Sequence, residues 1–133
     1  MSVHVRFRVG AESFALPVGH VLEVADVGTL APVPGAPPSV LGVRNLRGQV
    51  LPVIDLATVL GTPRSKAATK VVITEDAGRR AGLAIDQVTD VGELPGPLQE
   101  SDSPFLAGST LADGELVGVV DVEGVFAAVG GGS

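Results

Sequence analysis

The sequence predicts an all-β protein made of two similar small barrels, and three observations lead to this prediction. Apolar residues make up 45% of the 133 residues but aromatic residues only 3%, so Val, Leu, Ile and Ala supply most of the apolar content. Branched aliphatic side chains suit the pleated, half-buried surface of a sheet. Eighteen glycines and ten prolines are spread along the chain, as turns between short strands require. The third observation is an internal repeat.

The repeat relates residues 42–60 to residues 108–126 at an offset of 66 (108 − 42), and residues 15–24 to residues 82–91 at an offset of 67. The best aligned pairs are Gly42 with Gly108, Gly48 with Gly114, Asp55 with Asp121 and Val59 with Val125. A period near half the chain length predicts two copies of one small β-unit. Each half, about 1–65 and 66–133, is so small that burial alone stabilises it only marginally. We therefore expect one domain, 1–133, with a shared apolar core; an exchange of strands between the halves is left open.

In the first half, Val3–Val9 alternates apolar and basic residues, which predicts a strand with one solvated face. A turn at 10–13 and a second strand at 14–18 would complete an opening hairpin. Residues 19–24 fit either one helical turn or a strand. The proline-rich run 32–38 must be an extended connector, because proline cannot continue regular structure.

Two further strands are predicted at 40–46 and 49–56, joined by a tight turn at Arg47 and Gly48. Residues 50–54 are apolar on both faces, which predicts a strand covered on both sides. Pro52 lacks a ladder donor and therefore indicates a sheet edge or a bulge. One helical turn is expected to follow, closed by Gly61.

The second half repeats this order. A polar segment, 62–69, is the expected joint between the copies. The predicted elements after it are strands at 70–74, 80–85, 87–94 and 116–122, with a long polar loop at 95–107.

Composition excludes several classes of function. The net charge of −6 and the few aromatic residues argue against nucleic-acid binding. The absence of cysteine excludes disulfides and thiolate sites. No apolar stretch reaches membrane-spanning length and the N-terminus lacks a signal core, which predicts a cytoplasmic protein with no direct membrane insertion.

The sequence offers little for catalysis or metal binding. His4 is expected on the solvated face of its strand, and His20 with Glu23 makes only two of the ligands that a metal needs. A hydrolase using Asp55 and Asp121 is a rival, but their equivalence in the repeat favours a role in the fold. A small-ligand or oligonucleotide barrel would need a pocket or a basic aromatic face that the sequence does not show. We therefore expect no enzyme, no catalytic residues, no metal and no cofactor.

Two residues leave alternatives open. Arg47 aligns with Asp113 in the repeat, so the fold does not require a cation there; with Glu23 as partner it is either a structural ion pair or an anchor for another protein. Phe105, in the polar loop beside Pro104, either folds back under its loop or contacts another protein.

The most specific motif is PVPGAPPSVLGVRNLRGQVLPVIDL at residues 32–56: a proline loop, then G-V-x-N-L-R-G, then an L-P-V-I-D-L strand. Supporting motifs lie at 7–18, 21–24 and 82–91. At these residues the chain resembles the CheW family of bacterial chemotaxis coupling proteins. The resemblance implies two five-stranded SH3-like barrels around a shared core, and a non-enzymatic adaptor that couples chemoreceptors to a chemotaxis histidine kinase. An alternative is a CheW-like scaffold in a pathway driving type IV pili or another output.

The resemblance also implies partners and sites. The partners would be the regulatory domain of the kinase, the helical hairpin tip of a chemoreceptor and other CheW-like domains in rings. Phe105 would contact the kinase or the ring. The expected receptor groove lies between the barrels and consists of Val21, Glu23, Arg47, Val50, Gly82, Val88 and Val91.

Overall fold

The computed structural model describes residues 2–64 and 66–130, and the predicted all-β fold is confirmed within them. The strands are β1 (Val3–Val9), β2 (Glu12–Pro17), β3 (Val21–Asp26), β4 (Val40–Leu46), β5 (Gln49–Asp55), β6 (Lys70–Asp76), β7 (Arg79–Ile85), β8 (Gln87–Glu93), β9 (Leu106–Ala112) and β10 (Glu115–Val120). Two helices follow β5 and β10, namely α1 (Leu56–Leu60) and α2 (Val122–Gly130). None of the helices in these described residues is long and apolar enough to cross a bilayer.

The strands form two five-stranded sheets. Sheet 1 has the order β8-β1-β2-β10-β9 and sheet 2 the order β3-β6-β7-β5-β4. Neighbouring strands are antiparallel except β2 with β10 and β5 with β7, which are parallel. Each sheet takes strands from both halves of the sequence, because β1 and β2 pair with β8 and β10 while β3 to β5 pair with β6 and β7.

Each sheet also curls back on itself. Ala31, after edge strand β3, pairs with Val43 on the opposite edge strand β4. Gln99, after edge strand β8, pairs with Ser109 on β9. The two bridges lie at corresponding positions of the repeat, and each brings the chain across to the far edge of its own sheet. Both sheets therefore approach closed barrels.

The repeat is visible in the turns as well. Arg47 and Gly48 have φ of 52° and 83°, and Asp113 and Gly114 have φ of 51° and 75°. Two successive positive φ angles are typical of the two-residue hairpin turn that matches strand twist. The tight turn predicted at Gly48 is confirmed, and Arg47 shares its left-handed conformation.

Four local expectations are corrected or resolved by the structure. Residues 19–24 divide between a 3₁₀ turn (Val18–His20) and β3. Pro52 is expected at a sheet edge or a bulge. The edge is wrong, because β5 lies between β4 and β7, whereas the β4–β5 pairing does shift register close to Pro52, between Val40 and Gly42. Val50 is exposed, so β5 is not covered on both sides along its whole length. His4 is buried and not solvated.

A single apolar core lies between the sheets. Sheet 1 contributes Phe7, Phe14 and Leu16, and sheet 2 contributes Ile54, Val72 and Leu83. Val125 and Phe126 of α2 pack into the same cluster. We call this cluster the shared core. Each barrel also has a smaller interior cluster of its own, around Leu51 and Val53 in sheet 2 and around Val117 and Val119 in sheet 1.

The joint between α1 and β6 is tied to both sheets by Arg64. Its largely buried guanidinium lies 3.0 Å from Asp55, at the end of β5, and 3.4 Å from Asp86, between β7 and β8. Asp86 in turn accepts a hydrogen bond of 2.7 Å from the backbone N–H of Gly10, in the β1–β2 turn. One cation therefore links elements of both barrels.

We predict that Gly108→Ala destabilises the protein by about 1–3 kcal/mol, because its Cβ would overlap its neighbours. An ideal Cβ at Gly108 would lie 2.7 Å from the carbonyl oxygen of Gln99 and 2.9 Å from Cβ of Leu98. Gly92→Ala is the matched control, since a Cβ there meets no atom within 4 Å, and its effect should stay within about 0.5 kcal/mol. Chemical denaturation measures both. Equal stabilities for the two variants would contradict the close approach at Gly108.

Candidate partner-binding site

The predicted pairing of Arg47 with Glu23 is present and bidentate. Arg47 donates from Nη1 to Oε2 of Glu23 and from Nη2 to Oε1, the second at 3.1 Å. The turn itself is braced by Asn45, whose Oδ1 accepts a hydrogen bond of 2.9 Å from the backbone N–H of Gly48. The β4–β5 turn thus directs the guanidinium toward edge strand β3, where Glu23 lies.

The ion pair is a surface feature. The Arg47 side chain is 73% exposed, and exposed pairs contribute little to stability because water screens them. Hydrogen bonds from Arg47, and then its positive charge, lower the pKa of the Glu23 carboxyl below its ordinary value. With Leu22, Leu46 and Ile73 the pair borders a small depression of about 170 Å³. The pair orients a cation at the surface more than it holds the fold together.

Four valines on the edge strands β3 and β8 differ in how deeply they are buried. Val21 at the start of β3 and Val88 at the start of β8 are partly buried against that core. Val24 and Val91, three residues later in each strand, are exposed, Val91 by 57%. The two pairs are equivalent in the repeat at an offset of 67. We call Val21, Val24, Val88 and Val91 the seam valines.

Gly82 and Val50 differ from the other expected groove residues. Gly82 is buried, and a Cβ there would meet Ile73, Val71 and Val53 at 3.5–3.6 Å inside sheet 2. The inner strand β7 turns this position toward the barrel interior, and the part of Gly82 in receptor binding stays a prediction. Val50 is exposed on the β4–β5 hairpin that also carries Arg47.

Phe105 lies partly buried against the shared core. Its backbone N–H donates to Oγ of Ser103 at 3.2 Å, and its carbonyl accepts from the N–H of Asp121 at 2.8 Å. The first bond is internal to the loop, and the second ties the loop to the residue before α2. Of the two alternatives left open, the structure places the ring back under its loop, with only part of its surface available to another protein.

Two exposed leucines were missed in the sequence. Leu111 and Leu116 face each other across β9 and β10 and are 65% and 64% exposed. They are the repeat equivalents of Asn45 and Val50, at an offset of 66. Comparing the copies position by position would have found them, because a polar–apolar pair at one hairpin becomes an apolar pair at the other.

The side chains considered for metal binding and hydrolysis form hydrogen bonds with other groups of the protein. His20 Nδ1 bonds to the carbonyl of Glu75 at 2.9 Å and not to Glu23. Asp55 accepts from Oγ1 of Thr58 at 2.8 Å, and Asp121 accepts from the N–H of Gly124 at 3.1 Å. Both aspartates therefore brace the start of a helix, as their equivalence predicted. Residues 2–64 and 66–130 contain no cluster of three or more His, Asp or Glu that could hold a metal.

Comparison with known proteins agrees with this architecture. A family model described as the CheW-like domain matches residues 4–130. The chain belongs to the CheW-like family. The membership predicted from the 32–56 motif is thus confirmed.

Named relatives cover most of the chain. It is 33% identical over 132 residues to a "probable chemotaxis protein CheW" of Rhizobium etli, spanning 92% of this chain and 85% of the relative. It is 35% identical over 120 residues to the protein FrzA of Myxococcus xanthus, spanning 89% and 73%. The crystal structure of the scaffolding protein TtCheW from Thermoanaerobacter tengcongensis superposes with a TM-score of 0.79 at 28% identity, covering 91% of this chain and 84% of that one.

We predict that Arg47→Gln raises the pKa of Glu23 toward its ordinary value of 4.5, because the carboxylate loses its principal donor. In the wild type the pKa is depressed, so the pair's contribution to stability is present above pH 4.5 and is lost as the pH falls through the lower folded-state pKa. Carboxyl-detected NMR titration measures the shift.

Arg8→Gln serves as the control for this titration. Arg8 is the principal donor that lowers the pKa of Glu115, so this variant should move Glu115 and leave Glu23 unchanged. A Glu23 pKa that is the same in wild type and Arg47→Gln would show that the ion pair does not form in solution.

Proposed function

We propose that this chain is a chemosensory adaptor scaffold that binds a chemoreceptor and a histidine kinase in the cytoplasm and holds them in register. The observation that carries the proposal is family membership across residues 4–130, on a body with apolar and cationic surface sites outside its core. The mechanism is positional. The protein contributes geometry, and the kinase supplies the chemistry.

The seam valines are the proposed receptor site. Val21 and Val88 pack against the shared core, and Val24 and Val91 on the same two strands are exposed to solvent. A receptor tip is a helical hairpin, and an amphipathic helix binds an apolar groove through side chains spaced by three and four residues. One valine pair lies on an edge strand of each barrel, and we propose that both pairs contact the helix. Glu23 lies in β3 beside these valines and remains a polar residue of the proposed receptor site.

The hairpin tips are the proposed kinase and ring contacts. Arg47 and Val50, which the sequence analysis expected in the receptor groove, belong to the β4–β5 tip in this proposal. One tip carries Arg47 and exposed Val50, and the other carries Leu111 and Leu116. Arginine is enriched among the residues that dominate the binding energy of interfaces, and an exposed apolar side chain gains free energy when a partner removes it from water. Phe105 acts here by fixing the adjacent loop to α2, with its remaining exposed surface at the margin of the contact. A partner built from similar barrels, such as the kinase regulatory domain or another CheW-like protein, would meet these tips end to end.

We predict that the two surfaces can be separated by mutation. Val91→Asp should weaken binding of a receptor hairpin fragment at least about tenfold, and Leu116→Asp should weaken binding of the kinase regulatory domain by a similar factor, because each places a charge in an apolar contact. Each variant should bind the other partner as the wild type does. Calorimetry with both fragments, taken from the same genome, gives the four affinities.

The same measurements test the adaptor proposal itself. Each variant is the matched control for the other, since both introduce one negative charge at an exposed apolar position. If the wild-type chain binds neither fragment, the adaptor function is wrong. If it binds both but each variant loses both partners equally, the function stands and the assignment of separate surfaces is wrong.

A further inference from the structure

An apolar cavity of about 310 Å³ lies on a part of the molecule that the adaptor proposal does not use. It is lined by four elements: the proline-rich connector, the β4–β5 hairpin, the start of β7 and α2. The wall residues that matter here are Val33, Ala36, Val43, Pro52, Phe126 and Val129. None of the seam valines, and neither Arg47 nor Val50, lines it.

The floor of the cavity is the shared core itself. Ile54 and Ala81 of sheet 2 and Phe126 of α2 are buried members of that core, and all three line the cavity. The connector residue Val33, which also lines the cavity, is 41% exposed. An apolar occupant would therefore remove exposed apolar surface such as that of Val33 from water, which is favourable.

The charges at the rim are all positive. Arg79 and Arg80 line the cavity, and no acidic residue does, in a chain whose net charge is −6. Arg80 is engaged, with Nε 2.7 Å from Glu75 and Nη1 3.0 Å from Oε1 of Gln49. The guanidinium of Arg79 lies 5.5 Å from the ring centroid of Phe126, and it makes no salt bridge within residues 2–64 and 66–130.

We propose that this cavity binds a small apolar molecule that carries a single carboxylate. The apolar part occupies the space between the connector and α2, and the carboxylate accepts hydrogen bonds from Arg79. A guanidinium suits this role because its planar donors match a carboxylate in pairs. The volume lies at the lower end for ligand pockets, which favours a short aliphatic or monocyclic acid over a long-chain lipid.

The chemistry favours an anion over a neutral or cationic ligand. A neutral ligand would leave the Arg79 guanidinium without a counter-charge, and a cation would be repelled by both arginines. The position of Arg79 over the Phe126 ring holds it beside the apolar wall. Bound ligand would brace the connector against α2, so it would also stabilise the folded protein.

Octanoate is the probe for the test, with octanamide as its neutral isostere, added to the full ¹⁵N-labelled chain at neutral pH. We expect saturable NMR shifts at Val33, Ala36 and Phe126, with a dissociation constant of about 1 mM for octanoate. Octanamide should bind about fivefold more weakly, since it lacks the charge-assisted hydrogen bonds.

Three variants assign the site. Arg79→Gln should weaken octanoate binding about fivefold and leave octanamide unchanged. Lys66→Gln makes the same change in net charge at an exposed position outside the cavity and should have no effect. Ala36→Phe should reduce binding of both probes by filling the space. The proposal is overturned if octanoate gives no saturable shifts, if the shifts map elsewhere, if both probes bind equally, or if Arg79→Gln binds octanoate as the wild type does.

Discussion

Mutual burial of the two sheets is the constraint on which the rest of the structure depends. Phe7 and Leu16 of sheet 1 pack against the cluster that also holds Val72 and Leu83 of sheet 2. Neither sheet could bury this face alone, and a unit of about 65 residues is too small to be more than marginally stable. Because each sheet takes strands from both halves of the chain, the barrels are expected to form together, with Arg64 linking them at the joint.

This constraint also determines where function can be placed. Interior positions are committed to the shared core and to the two smaller barrel clusters, so the surfaces left for partners are the edge strands and hairpin tips. The internal repeat distinguishes positions that serve the fold from positions that differ between the two copies. Gly42 and Gly108, equivalent and both closely approached by a crossing backbone, serve the fold. Arg47 and its counterpart Asp113 differ, so the two equivalent hairpin turns carry opposite charges.

The differences between the sequence analysis and the structure share one physical cause. Gly82 and Pro52 were interpreted without knowing their neighbours in the sheet: one proved to face a barrel interior, and the other lies on an inner strand. His4 is expected in water because its strand alternates, yet its side chain is buried and its Nδ1 lies 3.2 Å from the carbonyl oxygen of Ser2. Periodicity reports which residues share a face, but only the packed structure decides whether that face is covered.

The sequence by itself determined the all-β class, nearly every strand, the glycine turn at Arg47 and Gly48, and the family. These follow from alternation, β-branched content, turn chemistry and a specific motif, all of which act over a few residues. The tertiary structure alone decided which sheet each strand joins, that Gly82 is enclosed, and that a cavity opens beside Arg79. Those features depend on contacts between segments far apart in the chain. A local sequence pattern does not report the free energy of such contacts.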